Sequence, residues 1–376
     1  MKIIDVDALV SLVREHARQE LLDNRIGAKE IIVHQNGRRL IHEKFGETFE
    51  NENRLIFRAA SMTKSITAAA VMQLAERGLL DLNESVSRYY PSMKRMQIAA
   101  VENGRIVSLR PTQNDIRVVD LLCHISGVGC EPVLSALEKS TANLPLSEAV
   151  QVIAEQPLSF EPRTAQAYSP TDAFDLAAGI VEQVSGTAFD EYLRRHLFEP
   201  LGMIDTTFAP NEEQRARMVP MHNRTEQGLS EIAAMPDRRV FADFIPERMA
   251  AGAGLAVTAE DYIRFADMLC LGGVSADGTR VLSERSVRQM ATPCVPEEIE
   301  MGSERWGLGM RVVVRDDYPH GLCVGCFGWS GAYGTHFWVD PNNHVSVVMM
   351  KNSLYDGGAG NRSACELERD VSACLK

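Results

Sequence analysis

Strand-like patterns occupy the two ends of this 376-residue chain, and helical patterns occupy the long stretch between them. Near the N-terminus, two apolar runs in IIVHQNGRRLIHEKFG meet at Gln35-Asn36-Gly37, a sequence typical of a tight hairpin turn. Comparable runs return only towards the C-terminus, in GLGMRVVV, GTHFWVDP and HVSVVMMKN. The pattern therefore predicts an α+β fold in which one antiparallel sheet is built from both chain ends, is flanked by helices and carries an inserted all-helical lobe.

The same patterns predict the domain boundaries. We expect residues 1–78 and 250–376 to form a discontinuous α/β lobe and residues 79–249 to form the helical lobe, with the active site in the cleft between them. The pattern assigns no position to the loops 94–116 and 208–250. The segments with helical periodicity are 7–23, 61–76, 117–123, 147–155, 171–185, 188–196 and 361–375.

The net charge of −12 argues against two classes of partner. Nucleic acids and anionic membranes are bound by clustered Lys and Arg, so neither is expected to bind this acidic chain. The N-terminal segment lacks the apolar core of a signal peptide, and no apolar run reaches the ~18 residues of a membrane span. We therefore expect a cytoplasmic protein, and the sequence leaves its oligomeric state open.

The cysteines are spaced irregularly, so buried or half-buried free thiols are expected rather than a disulfide framework. Cys323 and Cys326 form a CxxC pair, but no second CxxC and no pair of histidines completes a zinc site. The flanking sequence LCVGCFGW is typical of a strand and a turn, whereas a redox CxxC opens a helix. No metal and no organic cofactor is predicted. The cysteines are Cys123, Cys130, Cys270, Cys294, Cys323, Cys326, Cys365 and Cys374.

Ser61-Met62-Thr63-Lys64 is the only Ser-x-x-Lys sequence in the chain. At the start of a predicted helix, this spacing brings both side chains to one face, with Cβ atoms ~5–6 Å apart. A serine hydroxyl is a poor nucleophile until a base lies beside it, and a desolvated lysine can serve as that base. Because a serine near a helix start with a lysine nearby is common, the motif alone is weak evidence for catalysis.

The surroundings of this motif resemble the serine β-lactamase-like hydrolases, a family that includes class C β-lactamases, DD-peptidases and family VIII carboxylesterases. The resemblance extends in order from about residue 30 to 350 and implies the β-lactamase-like fold. The segments that carry it are FRAASMTKSITAAAVMQLAERGLLDLNESVSRYYP, LLCHISG, Tyr168-Ser169-Pro170 with AAGIVEQVSG, LGMIDTTF, GAGLAVTAEDYIRFADML, RWGLGM and GWSGAYGTHFWVDP.

The resemblance implies a role for each matching residue. Ser61 matches the acylated nucleophile, Lys64 its hydrogen-bonded helix neighbour, and Tyr168 the tyrosine that accepts the proton, alone or with the lysine. Trp329-Ser330-Gly331 falls where many relatives have Lys-Thr-Gly or His-x-Gly, and we expect it to bind substrate. The backbone N–H groups of Ser61 and Ala332 are expected to form the oxyanion hole.

Two departures from the family pattern bear on the substrate. Family β-lactamases have Asn where Pro170 stands and Lys where Trp329 stands. Pro170 offers no side-chain hydrogen bond to substrate, and an indole offers no charge to a substrate carboxylate, although it can stack on an apolar group. Family VIII carboxylesterases tolerate both changes. The resemblance therefore implies a carboxylesterase for small neutral esters, with at most weak β-lactamase activity.

Other functions stay open at this point. A β-lactamase, a D-amino-acid peptidase and a penicillin-sensor-like module that remains acylated are the alternatives. The chain lacks the Gly-x-Ser-x-Gly elbow of α/β-hydrolases and the HExxH motif of metallohydrolases. His124 and His336 are expected to pack rather than to act as bases. The expected partner is a small-molecule ester or amide, and the acyl acceptor is not fixed.

Overall fold

The computed structural model describes residues 1–46, 54–137, 141, 144–225, 228–231 and 249–376. Residues 226–227 and 232–248, part of the loop that the sequence leaves unplaced, lie outside these ranges. The strands are β1 (Lys29–Gln35), β2 (Arg38–Phe45), β3 (Ile56–Arg58), β4 (Gln97–Glu102), β5 (Arg105–Pro111), β6 (His222–Thr225), β7 (Gly228–Glu231), β8 (Ala256–Thr258), β9 (Glu304–Trp306), β10 (Arg311–Val313), β11 (Phe327–Ser330), β12 (His336–Asp340) and β13 (Val345–Lys351).

Helices account for most of the remaining regular structure. A π-helical turn, Arg194–Phe198, joins α7 to α8, and short 3-10 turns occur at Ala60–Met62, Val86–Arg88 and Pro91–Arg95. The α-helices are α1 (Val6–Leu22), α2 (Thr63–Glu76), α3 (Val118–Leu122), α4 (Val133–Ala136), α5 (Leu146–Ile153), α6 (Asp172–Ser185), α7 (Phe189–Leu193), α8 (Glu199–Leu201), α9 (Glu212–Ala216), α10 (Ala259–Cys270), α11 (Glu284–Met290) and α12 (Arg362–Cys374).

The central sheet joins the two ends of the chain. Its seven strands run in the order β2-β1-β13-β12-β11-β10-β9, and every neighbouring pair is antiparallel. The first strand, β1, pairs with the last, β13, with Lys29 opposite Lys351. The β1–β2 hairpin turns at Asn36 and Gly37, whose φ angles of 55° and 69° are those that an Asn-Gly turn requires. The predicted sheet built from both chain ends is confirmed.

Helices cover both faces of this sheet. Helices α1 and α12 contact each other on one face, and α10 packs on β1, β12 and β13 on the other. Alternate residues of each strand contribute to the two hydrophobic cores: in β13, Val347 and Met349 join the core under α1 and α12, whereas Val348 and Met350 join the larger core. The fold class predicted from sequence, α+β with a flanked antiparallel sheet, is thereby confirmed.

Helix α2 lies at the centre of the larger core. Every residue from Thr63 to Leu74 is buried, which explains why the helix is apolar nearly all round and rich in alanine. The helix ends near Gly78, whose φ of 70° is the left-handed conformation expected just past a helix C-terminus. Because α2 is enclosed on all sides, its N-terminal turn is the part that can meet a substrate.

The segment 79–249 was expected to be all helical, but it also contains strands. Its predicted helices correspond to α3, α5, α6 and α7, but β4 and β5 form a hairpin within it, and β6 and β7 form another. The all-helical prediction is wrong here because β5 is exposed along nearly its whole length, so no buried alternating pattern marks it. The β4–β5 hairpin occupies most of the loop 94–116. The division into two lobes stays a prediction.

One pair of cysteines departs from the expected free thiols. Cys123 and Cys294, which are 171 residues apart in the sequence, form a disulfide. Spacing along a chain does not reveal which distant cysteines meet, so this pairing could not be predicted. The other six cysteines are free. Because disulfides are typical of oxidising compartments, the cytoplasmic location also stays a prediction.

A membrane span was not expected from the sequence. Among the residues that the structure describes, no helix combines the length and the hydropathy required to cross a bilayer.

Candidate active site

Ser61 lies in the turn that connects β3 to α2. The preceding Ala59 donates its backbone N–H to the carbonyl of Leu255 at 2.9 Å, which fixes the start of the turn. The buried Ala60 has a φ of 47°, a left-handed conformation that residues with a side chain rarely adopt and that concentrates at functional sites. Ser61 itself is partly exposed. The turn thus presents a hydroxyl to solvent at the tip of a buried helix.

Lys64 lies one helical turn beyond Ser61 and is completely buried. Its Nζ lies 3.4 Å from Ser61 Oγ and donates to two backbone carbonyls, that of Pro170 at 2.5 Å and that of Gly252 at 2.8 Å. The spacing of the Ser-x-x-Lys motif therefore brings the two side chains together, as predicted. Pro170 takes part through its carbonyl, a contribution that its side chain did not suggest.

The surroundings of Lys64 control its charge. Burial lowers the pKa of Lys64 from its usual 10.5, because the ammonium form loses its hydration, and the neighbouring Tyr168 and Asp175 oppose this shift. The carboxylate of Asp175 accepts the N–H of Ala251 at 2.8 Å. A lysine with a lowered pKa is present more often as a neutral amine, and a neutral amine can accept a proton.

Tyr168 completes the cluster around Lys64. It precedes α6 and is partly exposed, and its ring centroid lies 4.8 Å from Lys64 Nζ. The indole Nε1–H of Trp329 donates to the Tyr168 hydroxyl at 3.3 Å. The tyrosine is therefore held from two sides, by Lys64 and by Trp329 of β11, with its hydroxyl near the Lys64 amine.

His124 packs beneath Tyr168. Its ring centroid lies 4.6 Å from that of Tyr168 and 4.3 Å from that of Trp306, and its Nδ1 accepts the backbone N–H of Ser169 at 3.0 Å. Burial, with smaller effects of nearby cations, lowers the pKa of His124 well below its usual 6.5. A neutral, enclosed imidazole of this kind positions the Tyr168 segment, in keeping with the packing role expected from sequence.

Gly331 packs closely against the turn that carries Ser61. A Cβ at Gly331 would lie 2.1 Å from Thr335 Oγ1, 2.5 Å from the Ala59 carbonyl and 3.1 Å from the Ala60 Cβ. Thr335 and the Ala59–Ala60 segment therefore leave no room for a side chain here, and the substrate contact expected of Gly331 from sequence stays a prediction. Ala332 follows in the exposed turn after β11. The tight contact thus brings the backbone of Ala332 towards the start of α2.

Ser330 lies on the other face of β11 from Trp329. Its hydroxyl pairs with His336 Nδ1 at 2.8 Å, and His336 Nε2 lies 3.0 Å from Glu368 Oε1 on α12. The three side chains line a cavity of about 150 Å³ between α12 and the edge of the sheet. The structure gives the Ser330 side chain a partner of its own, and its role in binding substrate stays a prediction.

Two residues near Trp329 were not singled out from sequence. The guanidinium of Arg311 lies 5.2 Å from the ring centroid of Trp306 and 5.4 Å from that of Trp329, and it pairs with Glu304 at 3.2 Å. Trp306 is completely buried, and its ring lies 4.5 Å from that of Trp329. Trp306 falls within the family-like segment RWGLGM, which was a usable signal, whereas nothing in the sequence marked Arg311.

Groups that could hold a metal lie outside this cluster. Within the described ranges, two sets of side chains bring potential ligand atoms within 4.8 Å of one another: Cys323, Cys326 and Asp340 in one set, and Glu30, His42 and Glu260 in the other. Neither set contains Ser61, Lys64 or Tyr168. Around Ser61, a serine hydroxyl has a buried amine and a phenol nearby, and these groups are suited to nucleophilic attack.

The chain is similar over most of its length to proteins of one family. The chain matches the Beta-lactamase family over residues 16–365. It is 32% identical to Protein Rv1367c of Mycobacterium tuberculosis over 315 residues, 78% of this chain and 77% of that protein. It is 28% identical to Penicillin-binding protein 4 of Amycolatopsis lactamdurans (90% and 81% covered) and 25% identical to Esterase EstB of Burkholderia gladioli (95% and 94% covered).

Solved structures show the same fold. The hydrolase EstCE1, described as having promiscuous acyltransferase activity, superimposes with a TM-score of 0.79 at 21% identity, over 98% of this chain and 99% of that one. The β-lactamase-like fold that the sequence resemblance implied is thereby confirmed. With a family match over most of its length, the chain belongs to the Beta-lactamase family of serine hydrolases and acyltransferases.

Proposed function

We propose that this protein is a serine carboxylesterase that cleaves small neutral esters through an acyl-enzyme on Ser61. The observation that carries the proposal is the position of Lys64: a completely buried amine 3.4 Å from the hydroxyl of a partly exposed serine. Burying this lysine costs stability, because burial penalises its charged form and the nearby Tyr168 and Asp175 offset only part of that penalty. Its retention beside a nucleophile is explained if it accepts the serine proton.

The hydrogen bonds of Lys64 support this role. As a neutral amine, Nζ has two N–H donors and one lone pair. The carbonyls of Pro170 and Gly252 take two donors, so the lone pair is left for the side where Ser61 Oγ and the Tyr168 hydroxyl lie. The amine is thereby oriented to accept the proton as Ser61 attacks the ester carbonyl, with the Tyr168 hydroxyl beside it to share in the transfer.

The remaining steps follow from the same groups. The backbone N–H groups of Ser61 and Ala332 stabilise the oxyanion, and such a donor is typically worth about 3–4 kcal/mol in the transition state. The proton held by Lys64 and Tyr168 passes to the departing alcohol as the C–O bond breaks. Water then attacks the acyl-enzyme and gives its proton to the same base, which releases the acid and restores Ser61.

The residues around Trp329 favour a neutral substrate. Trp329 provides no positive charge, and Arg311, whose guanidinium lies 5.4 Å from the Trp329 ring centroid, is paired with Glu304. A substrate carboxylate would have to compete with Glu304 for that guanidinium, whereas an uncharged ester would not. Similarity to an esterase supports the same reading, and similarity to a penicillin-binding protein makes peptidase or β-lactamase activity the alternative.

The proposal is tested by steady-state hydrolysis of p-nitrophenyl acetate, butyrate and octanoate, measured beside nitrocefin. We expect ester turnover that is lost in Ser61→Ala and retained in Ser65→Ala. Ser65 is a matched control, because it lies four residues further on, in α2, and its hydroxyl donates to the Gly309 carbonyl instead. Ester turnover that survives in Ser61→Ala would refute the assignment of the nucleophile.

Intact-protein mass measurement separates the remaining alternatives. Turnover of p-nitrophenyl butyrate with a transient butyryl adduct on Ser61 is expected. An adduct that accumulates without turnover would indicate a sensor-like acyl-binding protein. Nitrocefin hydrolysis faster than ester hydrolysis would indicate a β-lactamase.

A further inference from the structure

The CxxC pair of the sequence gains a third partner in the folded chain. Cys323 and Cys326 lie in the turn before β11, and Asp340 ends the neighbouring strand β12. The two Sγ atoms are 3.4 Å apart, and a carboxylate oxygen of Asp340 completes a set in which all ligand atoms lie within 4.8 Å of one another. This cluster is separate from Ser61, Lys64 and Tyr168.

The backbone fixes the two sulfurs in place. Cys326 donates its N–H to the Cys323 carbonyl at 3.1 Å, which closes a tight turn, and Gly325 within it has a φ of 92° that a residue with a side chain would rarely adopt. Asn342 Nδ2 donates to the Val324 carbonyl at 3.1 Å on the same turn. The loop conformation therefore brings the two thiols together.

Asp340 is oriented by the turn that follows it. Its Oδ1 accepts the backbone N–H groups of Asn342 at 2.9 Å and Asn343 at 3.1 Å, and its Oδ2 accepts Asn343 Nδ2 at 2.7 Å. Oδ2 retains a lone pair for a further ligand. Carboxylates that bind metals are commonly held by such hydrogen bonds, which fix their direction before the ion arrives.

We propose that Cys323, Cys326 and Asp340 bind one thiophilic divalent cation of the Zn²⁺ class. Tetrahedral Zn²⁺ with Zn–S bonds of ~2.3 Å requires sulfurs ~3.8 Å apart, so the observed 3.4 Å separation needs only a small adjustment. On binding, both thiols release their protons to solvent, and two thiolates with one carboxylate surround the cation. Soft thiolate ligands select Zn²⁺ over Mg²⁺ or Ca²⁺, which prefer oxygen.

The surroundings leave a fourth coordination position and a path to it. Cys323, Cys326, Asp340, Asn342 and Asn343 all line a cavity of about 280 Å³ beside the cluster. Cys323 is partly exposed, whereas Cys326 and Asp340 are buried. A cation can thus enter past Cys323, and water or a small ligand can occupy the position that the protein leaves open.

The site would fasten two strands of the sheet. The cation links the residue immediately before β11 to the last residue of β12, and β11 carries Trp329 three residues further on. The cluster contains none of Ser61, Lys64 and Tyr168, so the inference stands whether or not the proposed esterase activity is found. A ligand that binds only the folded state raises its stability.

Cobalt substitution tests the proposal on the full-length, reduced protein. We expect one Co²⁺ per chain, with the near-ultraviolet charge-transfer absorption of a thiolate–Co²⁺ complex, displaced by Zn²⁺, and a higher Tm with Zn²⁺ than with Mg²⁺. Cys323→Ser should roughly halve this absorption and weaken binding, and Asp340→Asn should weaken binding while leaving both thiolates. Cys374→Ser is the matched control, because Cys374 is a free cysteine at the end of α12.

Three outcomes would overturn the site. One is a reduced wild-type protein that takes up no Co²⁺ or Zn²⁺ while a thiol assay finds its free cysteines intact. Another is a Co²⁺ spectrum that is the same in Cys323→Ser and in wild type. A third is a protein whose Cys323–Cys326 pair closes to a disulfide in air and shows no metal uptake after reduction, which would assign the pair to thiol redox chemistry. A folded circular dichroism spectrum for each variant keeps the comparison valid.

Discussion

Trp329 and Ser330 are consecutive residues of β11, yet their side chains belong to two clusters of different character. Because successive side chains of a strand point to opposite faces, the indole of Trp329 meets Tyr168, while the hydroxyl of Ser330 meets His336. The Tyr168 cluster contains Tyr168, Trp329 and the buried Lys64, and it leads to the partly exposed Ser61. The Ser330 cluster, which contains Ser330, His336, Glu368 and Tyr318, joins β11 to α12.

The hydrogen bonds of the Ser330 cluster are nearly all satisfied. Glu368 receives His336 Nε2 at one oxygen and the Tyr318 hydroxyl, at 3.0 Å, at the other. Burial and the nearby Glu368 raise the pKa of Tyr318, so that hydroxyl keeps its proton and continues to donate. A chain of paired groups between a strand and a helix stabilises structure, whereas a buried amine beside a partly exposed hydroxyl is suited to chemistry.

The difference between the clusters predicts that mutations in the Tyr168 cluster lower activity, whereas mutations in the Ser330 cluster lower stability. The largest expected effect is that of Lys64→Met. The methionine keeps the length of the side chain but removes the base, so kcat for p-nitrophenyl butyrate should fall about 10²- to 10⁴-fold. Tm should change little, because the gain from removing a buried ionisable group offsets the loss of its hydrogen bonds to the Pro170 and Gly252 carbonyls. Steady-state kinetics and thermal unfolding measure both effects, and a variant that keeps more than a tenth of the activity would exclude Lys64 as the base.

The pH dependence of the wild-type enzyme is a second test of Lys64 as the base. Burial places the pKa of Lys64 below 10.5, and the neutral amine is the active form, so kcat/KM should rise with pH and reach half its maximum below 10.5. In Lys64→Met this rise should disappear. A wild-type profile that is flat from mildly acidic to alkaline pH, after correction for spontaneous ester hydrolysis, would contradict the role of the amine.

Tyr168→Phe is expected to have the next largest effect. The ring stays over Lys64 and the packing with His124 is kept, while the hydroxyl that neighbours the Ser61–Lys64 pair is lost. If the phenol shares in proton transfer, kcat should fall roughly 10²-fold or more, with KM nearly unchanged. A change confined to KM would instead make Tyr168 a substrate contact.

Trp329→Phe should produce a smaller loss. Phenylalanine retains the aromatic contact but lacks the Nε1–H that donates to Tyr168. One hydrogen bond of this kind is worth about 1 kcal/mol, so kcat should fall by about fivefold. Trp329→Phe combined with Tyr168→Phe should be no slower than Tyr168→Phe alone, since the bond is already absent. Additive losses would show that the indole acts on the substrate rather than on the tyrosine.

The two clusters also differ in how far the sequence predicted them. Ser61 and Lys64 are three residues apart at the start of α2, so local geometry alone predicted their contact. The strands and the hairpin of the sheet were predicted from apolar alternation. Trp329 and Tyr168 are 161 residues apart, and no local rule predicts that contact. Only the resemblance to a family placed both residues in one site.

The contacts of the Ser330 cluster and the two cysteine sites could not be predicted in this way. The pairing of Ser330 with His336 depends on the register of β11 and β12, and the contact with Glu368 depends on where α12 docks. Arg311 was missed because a cation that stacks on indoles carries no sequence signature. Tertiary contacts between distant segments, rather than local propensity, decide each of these cases.

Ser330→Ala is the smallest expected change and the one that tests the Ser330 cluster. Alanine removes the hydroxyl that pairs with His336 but leaves the strand register and the Trp329 indole in place. The free energy of unfolding should fall by about 1–2 kcal/mol, because the buried imidazole loses a partner, while kcat/KM should stay within about twofold of wild type. Denaturant unfolding and ester kinetics on one preparation measure the two quantities. If kcat/KM falls tenfold while stability is unchanged, the Ser330 hydroxyl contacts substrate, and the division of β11 into a catalytic face and a stabilising face is wrong.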